Sequence, residues 1–232
     1  MARIQLSDFI TSPVSAPLAG TPYGAMEGFD LADFLDAWDK VHAETLALIP
    51  RGGRIHPTAF VHPTAIIGDD VIIGPRARVY EFSTVRKGSV LAAGASVGFN
   101  CEVTRSFLGE GAVLGHRIGV NTSLIGADAH LSANVTVAAI SVWSEDMRRP
   151  EKEIRFRAPD GGLYRCGTPA FGALIGDRVQ TGNSISLGPG VCVGRDARLL
   201  SGVTVAARSL PARCVVSAPH VADVHVRLRR RP

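Results

Sequence analysis

The chain has 232 residues, a formal charge of +4 and a hydrophobic fraction of 46%, of which aromatic residues supply only 6% of the chain. That length accommodates one domain or one and a half, and an interior so poor in rings must be built from Ala, Val, Ile and Leu, which suits a narrow, repetitive core. No apolar run approaches the roughly 20 residues that span a bilayer, and the N-terminus lacks a basic segment followed by an apolar stretch. A cytoplasmic protein without membrane or nucleic-acid partners is therefore expected, its mild positive charge suiting a small anionic ligand.

Residues 1–29 are rich in Pro, Gly, Ser and Thr and read as an extended arm. Residues 30–49 then place Leu31, Phe34, Leu35, Trp38, Val41, Thr45 and Leu48 on one face at helical spacing, with Asp30 as N-cap and Pro50 and Gly52-Gly53 as the stop. Such a helix packs on the first coil of the repeat region that begins at residue 55 or on a neighbouring subunit. Arm and helix together make a unit over residues 1–54.

From residue 55 an aliphatic side chain recurs every six positions, at Ile55, Val61, Ile67, Ile73, Val79, Val85, Leu91, Val97 and Val103. The phase slips by one residue at Leu108 and again at Ile125, then resumes in a last block from Ile175 to Val205. Four residues after each aliphatic position stands a second, usually small, inward one, as in Ala77, Ser83, Ser89, Ala95 and Cys101. Because alternate side chains of a strand face opposite ways, the small residue, its outward neighbour and the next aliphatic residue form one short strand. Gly68, Gly74, Gly98, Gly109 and Gly115 fall just after the aliphatic position, at corners where the chain must turn without a clash. Three corners close one triangular coil, and stacked coils make a continuous core. The fold class is all-β: a parallel β-helix of hexapeptide repeats over 55–218, with an N-terminal α-helix and an inserted loop.

The insertion lies at 143–174, where the phase disappears, the segment is densely charged, and Asp160-Gly161-Gly162 signals a hairpin turn. Loops thrown from a rigid scaffold often carry function. A basic tail, 219–232, holds Arg227, Arg229, Arg230 and Arg231. The four cysteines, Cys101, Cys166, Cys192 and Cys214, show neither CxxC pairing nor metal-ligand spacing, and Cys101 falls on an inward, core position.

At SFLGEGAVLGHRIG, residues 106–119, and FGALIGDRVQTGNSISLGPGVCVG, residues 171–194, the sequence resembles the acetyltransferase domain of bifunctional N-acetylglucosamine-1-phosphate uridyltransferases and of the archaeal sugar-1-phosphate nucleotidyltransferase/acetyltransferases. The similarity extends over 55–218 and includes the two phase slips and the Gly115-His116 step. It implies a left-handed β-helix, a homotrimer, and acetyl-CoA or another acyl-CoA as co-substrate without a metal. His116 matches the family's general base, a role that suits an imidazole near neutral pH. Arg86 falls where the family holds acceptor phosphate, and Arg105 stands beside Thr104, the counterpart of a second basic residue. The same resemblance gives Asn121 and His130 to the acceptor, and Asn183 and Ser201 to the coenzyme.

Several positions depart from the family pattern. Gly119 stands for a tyrosine, His130 for an asparagine, Ala139 for a further asparagine and Ala218 for a basic residue. The implied activity is acyl transfer from coenzyme A to an amine or hydroxyl of a sugar, nucleotide-sugar or similar small polar acceptor. The alternative is a β-helix that has lost acetyl transfer and serves as sensor, scaffold or another catalyst. Residues 1–54 are too few for the family's nucleotidyltransferase domain, and LAGTPYG, 18–24, lacks its LxxGxGTR signature, so nucleotidyl transfer is not expected of this sequence. A zinc hydratase on the same fold would need three converging histidines. His56 and His62 lie on different edges of the prism, and His220 and His225 fall in the tail.

Overall fold

The computed structural model describes residues 3–218; the basic tail, with His220, His225 and its arginines, lies outside the described residues. Parallel strands of two or three residues stack into three sheets that form the faces of a triangular prism. The first face runs from Phe60–Val61 to Val215–Val216, the second from Ile66–Ile67 to Thr204–Val205, and the third from Ile72–Ile73 to Ser209–Leu210. Adjacent coils pair residue for residue, as Val79 with Val97 and Val85 with Val103. The inward ladder is the predicted one: Val79, Val85, Leu91, Ala95, Val97, Cys101 and Val103 belong to one buried column. Burial raises the Cys101 thiol above its ordinary value, as expected of a small apolar filler.

Both phase slips fall at the corner between the second and third faces. There the step from Val103 to Leu108, and from Val120 to Ile125, is one residue short, so that Val103 pairs with Val120 and Leu108 with Ile125. A buried serine ladder runs along this corner, from the full-length step at Ser89 into the two shortened ones. The hydroxyls of Ser89, Ser106 and Ser123 donate to the carbonyls of Arg86, Thr104 and Asn121 at 2.7, 2.8 and 2.8 Å, while accepting from the amides of Ser106, Ser123 and Ala173. Buried backbone groups that the tight turn would orphan are thus paired. A third short step, from Val205 to Leu210, adds to the two read from the sequence and carries the prism on through Val216.

The third face is covered. Its outward residues Ile72, Val90, Phe107, Leu124, Leu174 and Cys192 are fully buried beneath the N-terminal segment and the hairpin of the insertion. Helix α1, Leu31–Leu48, starts at Asp30, whose side chain accepts from the Ala32 amide, and its apolar stripe from Leu31 to Thr45 is buried. The predicted stripe is correct except at Leu48, which is 61% exposed beyond the last packed turn. The residues preceding α1 do not extend. Three short 3-10 turns, Leu6–Asp8, Leu18–Gly20 and Pro22–Gly28, fold back so that Leu6, Ile10, Leu18, Tyr23 and Met26 enter this second core. The driving force is the apolar outer surface of the third face, which would otherwise stand in water. Tyr23 stacks on Phe107 with centroids 5.5 Å apart, and its hydroxyl accepts from Trp38 Nε1 at 3.0 Å.

The insertion holds the expected hairpin, strands Arg155–Arg157 and Leu163–Arg165 joined through Asp160, whose carboxylate accepts from the Gly162 amide. Ile154, Phe156, Tyr164 and Cys166 of the hairpin are buried in the same core as the N-terminal segment. Burial pushes the Cys166 thiol up to about 12 and raises Cys192 as well, which leaves both uncharged and unreactive at neutral pH.

Candidate functional site

With the third face closed, the first and second faces and the corner between them present polar side chains outward. That corner is a regular column. Its tips are Glu81, Phe99, His116, Ala133, Asn183 and Ser201, one per coil, and the residue after each tip is in the left-handed region, φ being 57° at Phe82, 53° at Asn100, 53° at Arg117, 57° at Asn134 and 57° at Ser184. From the second of these coils on, the amide after each tip donates to the tip carbonyl of the preceding coil: Asn100 to Glu81, Arg117 to Phe99, Asn134 to His116, Ser184 to Ala133 and Gly202 to Asn183, all at 2.9 Å, whereas the Phe82 amide donates to Thr64 Oγ1 at 3.1 Å. The repeat thereby brings His116, Asn183 and Ser201, read from distant parts of the sequence, onto one edge of the prism.

His116 is exposed at its tip. Two coils on, the Asn183 side-chain oxygen accepts from Ser132 Oγ at 2.6 Å and from the Ala133 amide at 3.1 Å, and the Asn183 amide donates to Ser201 Oγ at 2.9 Å. The corner therefore consumes the amide oxygen of Asn183 and one lone pair of Ser201, leaving an N–H donor and an O–H donor for the outside.

Arg86 and Asn121 lie on the second face, aligned through Thr104 between them. The Arg86 guanidinium pairs with Glu102 and reaches Thr104 Oγ1 at 3.4 Å. A groove of about 530 Å³ runs from this pair to the corner, past Thr84 and Gly119 to Phe82, Asn100 and Arg117. It meets, at Glu102 and Gly119, a second hollow of about 530 Å³ that follows the face across Asn121, Thr136, Ser186 and Thr204. Its floor is made of small residues, and a Cβ built on Gly119 meets nothing within 4 Å.

Two of the residues singled out from the sequence stand elsewhere. Arg105 turns onto the third face, where its guanidinium pairs with Asp39 at 2.9 Å and lies 5.6 Å from the Trp38 ring centroid. His130 lies on the first face, between Val113 and Gln180. The insertion also sits apart from His116: its hairpin joins the third-face core, and its apolar stem forms a hollow of about 550 Å³ near Gly188 and Ala206. Sequence reasoning missed Phe82, Phe99 and Arg117, although the repeat register alone marks all three as outward corner residues. Among the described residues no group of three His, Cys, Asp or Glu side chains is arranged to hold a metal, and no helix is long and apolar enough to cross a membrane.

Comparison with known proteins agrees with the resemblance read from the repeat. Residues 52–155 match the family model described as the GMPPB C-terminal domain. A bifunctional sugar-1-phosphate nucleotidylyltransferase/acetyltransferase of Sulfurisphaera tokodaii is 30% identical over 123 residues, which is 53% of this chain and 29% of that protein. The bifunctional protein GlmU of Methanococcus vannielii is 29% identical over 113 residues, 49% of this chain and 25% of that protein. Among solved structures, a UDP-N-acetylglucosamine acyltransferase of Francisella novicida matches with a TM-score of 0.45 and 13% identity, covering 70% of this chain and 60% of the other. The chain thus spans less than a third of the length of the two bifunctional relatives. Residues 52–155 are similar to the GMPPB C-terminal domain family, and about half of the chain is similar to the bifunctional sugar-1-phosphate nucleotidylyltransferase/acetyltransferases.

Proposed function

We propose that the chain is an acyl-CoA-dependent acyltransferase acting on an amine or hydroxyl of a sugar, nucleotide-sugar or similar small polar acceptor, with His116 as general base. The observation that carries this reading is the corner column, in which His116 shares an edge with Asn183 and Ser201 and opens beside the groove that ends at Arg86. The acetyltransferase named in the Sulfurisphaera protein supports the reaction class.

In this mechanism the acceptor lies across the groove with an anionic group toward Arg86, whose planar fork suits phosphate. The second-face floor of small residues leaves room for the extended arm of the acyl donor. His116 removes the proton from the acceptor amine or hydroxyl as that group attacks the thioester carbonyl. The tetrahedral adduct collapses with cleavage of the C–S bond, and the departing coenzyme thiolate takes up the proton. A neutral imidazole is suited to the first transfer at physiological pH. Asn183 and Ser201, with donors to spare, bind the coenzyme further along the edge. The bare first and second faces leave room for neighbouring prisms, and a homotrimer would wall the open groove.

The reaction is tested by incubating the protein with acetyl-CoA and a panel of aminosugars and their nucleotide derivatives while reading free thiol. Acceptor-dependent thiol release supports the reading. Tight coenzyme A binding without acceptor-dependent release for any member of the panel would favour a protein that keeps the fold and has lost the transfer. Gly119 and Ala139, small where the resembled family has larger polar residues, are the features that favour this second reading.

A further inference from the structure

Phe82 breaks two rules at once. Its φ of 57° is a conformation that favours Gly and Asn and that a bulky residue rarely adopts, and its ring is 60% exposed. One coil on, Phe99 occupies a corner tip and is 40% exposed. The two rings meet edge to face at 90°, with centroids 5.8 Å apart. An apolar side chain held in a costly backbone conformation to face water is an observation that points to function rather than to folding.

The surroundings say what such an aromatic angle would take. Phe99 directly precedes His116 in the corner column, so the two tips are one coil apart, about 4.8 Å in a parallel stack. Phe82 also lines the groove that contains Arg86 and Arg117. An aromatic angle, two ring faces at right angles, thus stands at one end of a hollow with two guanidinium groups in it. Arg117 is tethered through Nε to Asn134 Oδ1 at 2.9 Å, which leaves its terminal nitrogens toward solvent. The opposing charge in the groove is Glu102, already paired with Arg86, and Glu81 beside the corner faces His62 at 3.8 Å.

We infer that Phe82 and Phe99 form a base-stacking platform, and that the corner beside His116 binds a nucleoside diphosphate with its base on the rings and its phosphates toward Arg117 and Arg86. Bases stack on aromatic faces with little sequence preference, while the cations hold the phosphates. The nucleoside diphosphate belongs either to a nucleotide-linked acceptor or to coenzyme A. The inference deepens the acyltransferase reading and rests on it only for the ligand's role, since binding is measured without turnover.

The experiment is calorimetric titration of the full chain with UDP, GDP, coenzyme A and inorganic pyrophosphate, repeated on Phe82→Asn and Phe99→Ser. Asn is at home in the left-handed conformation, so Phe82→Asn keeps the corner. Each substitution is expected to weaken nucleotide binding about tenfold or more and to leave pyrophosphate binding unchanged. Loss confined to UDP or GDP assigns the platform to the acceptor, and loss confined to coenzyme A assigns it to the donor. The inference is overturned if nucleotides bind the wild type no tighter than pyrophosphate, or if both variants bind them as the wild type does. It is equally overturned if sedimentation shows that Phe82→Asn dissociates an oligomer, since the rings would then be a subunit contact.

Discussion

The hydroxyl of Thr11 donates to the carboxylate of Asp177 across 2.7 Å, joining the N-terminal segment to a coil 166 residues away. Asp177, only 1% exposed, also accepts from the amides of Thr11 at 3.2 Å and Ala127 at 2.8 Å, and faces Arg195 at 3.3 Å. Removing that acceptor orphans several donors together. Asp177→Ala is expected to lower stability by about 3 kcal/mol, and Thr11→Val by about 1 kcal/mol. Urea denaturation checks both, and an unshifted midpoint for Asp177→Ala would count against the pin.

Glycines of the two grooves and corners differ sharply. A Cβ on Gly98 would lie 1.6 Å from the Gly115 carbonyl oxygen, a backbone clash that no rotamer relieves, whereas Gly119 has open space. Gly98→Ala should destabilise by about 3 kcal/mol or more, and Gly119→Ala should change stability by less than about 0.5 kcal/mol. Thermal melts of the two variants side by side give the comparison.

His42 ties α1 to the prism: Nε2 donates to the Asp70 carbonyl at 2.8 Å, which leaves Nδ1 to accept from the Tyr23 hydroxyl at 3.2 Å. Burial, the largest influence, holds this imidazole below its ordinary value. The neutral form is therefore the one the fold favours. Its contribution is complete above the unfolded value of about 6.5 and is lost as pH falls through the lower folded value. Denaturation midpoints taken between about pH 8 and about pH 5 should fall with acid, and His42→Asn should flatten that dependence. An identical slope in the variant would remove His42 from the explanation.

The hairpin and α1 share one hydroxyl. Tyr164 OH donates to the Asp30 carboxylate and accepts from the Ala32 amide at 2.7 Å, so the insertion helps cap the helix. Tyr164→Phe is expected to cost about 1.5 kcal/mol and to speed amide exchange selectively in the first turn of α1. Uniform exchange along the helix would show that the cap does not depend on the hairpin.

Much of the fold is legible in the chain. The spacing from Ile55 to Val103 contains the inward column, because a strand's alternation leaves an aliphatic residue no other place. Asp30 and the stripe from Leu31 to Thr45 likewise declare the helix. The cover over the third face has its own signal, which the hexapeptide spacing masks. Ile72-Ile73, Val90-Leu91, Phe107-Leu108 and Leu124-Ile125 are consecutive apolar pairs, the mark of strands buried on both sides. The candidate site is only partly readable. Register determines which residues share an edge, so His116, Asn183 and Ser201 group together once coils are counted. Where Arg105 turns cannot be foreseen, because its direction depends on Asp39 and Trp38 of a helix whose docking the repeat does not encode.

The most direct measurement is acceptor-dependent thiol release from acetyl-CoA by the wild type and by His116→Ala, at matched coenzyme occupancy. Loss of a general base predicts that kcat falls about 10² to 10⁴-fold, with the KM for acetyl-CoA little changed. Equal turnover by the two proteins would contradict the assignment of the chemistry to this corner.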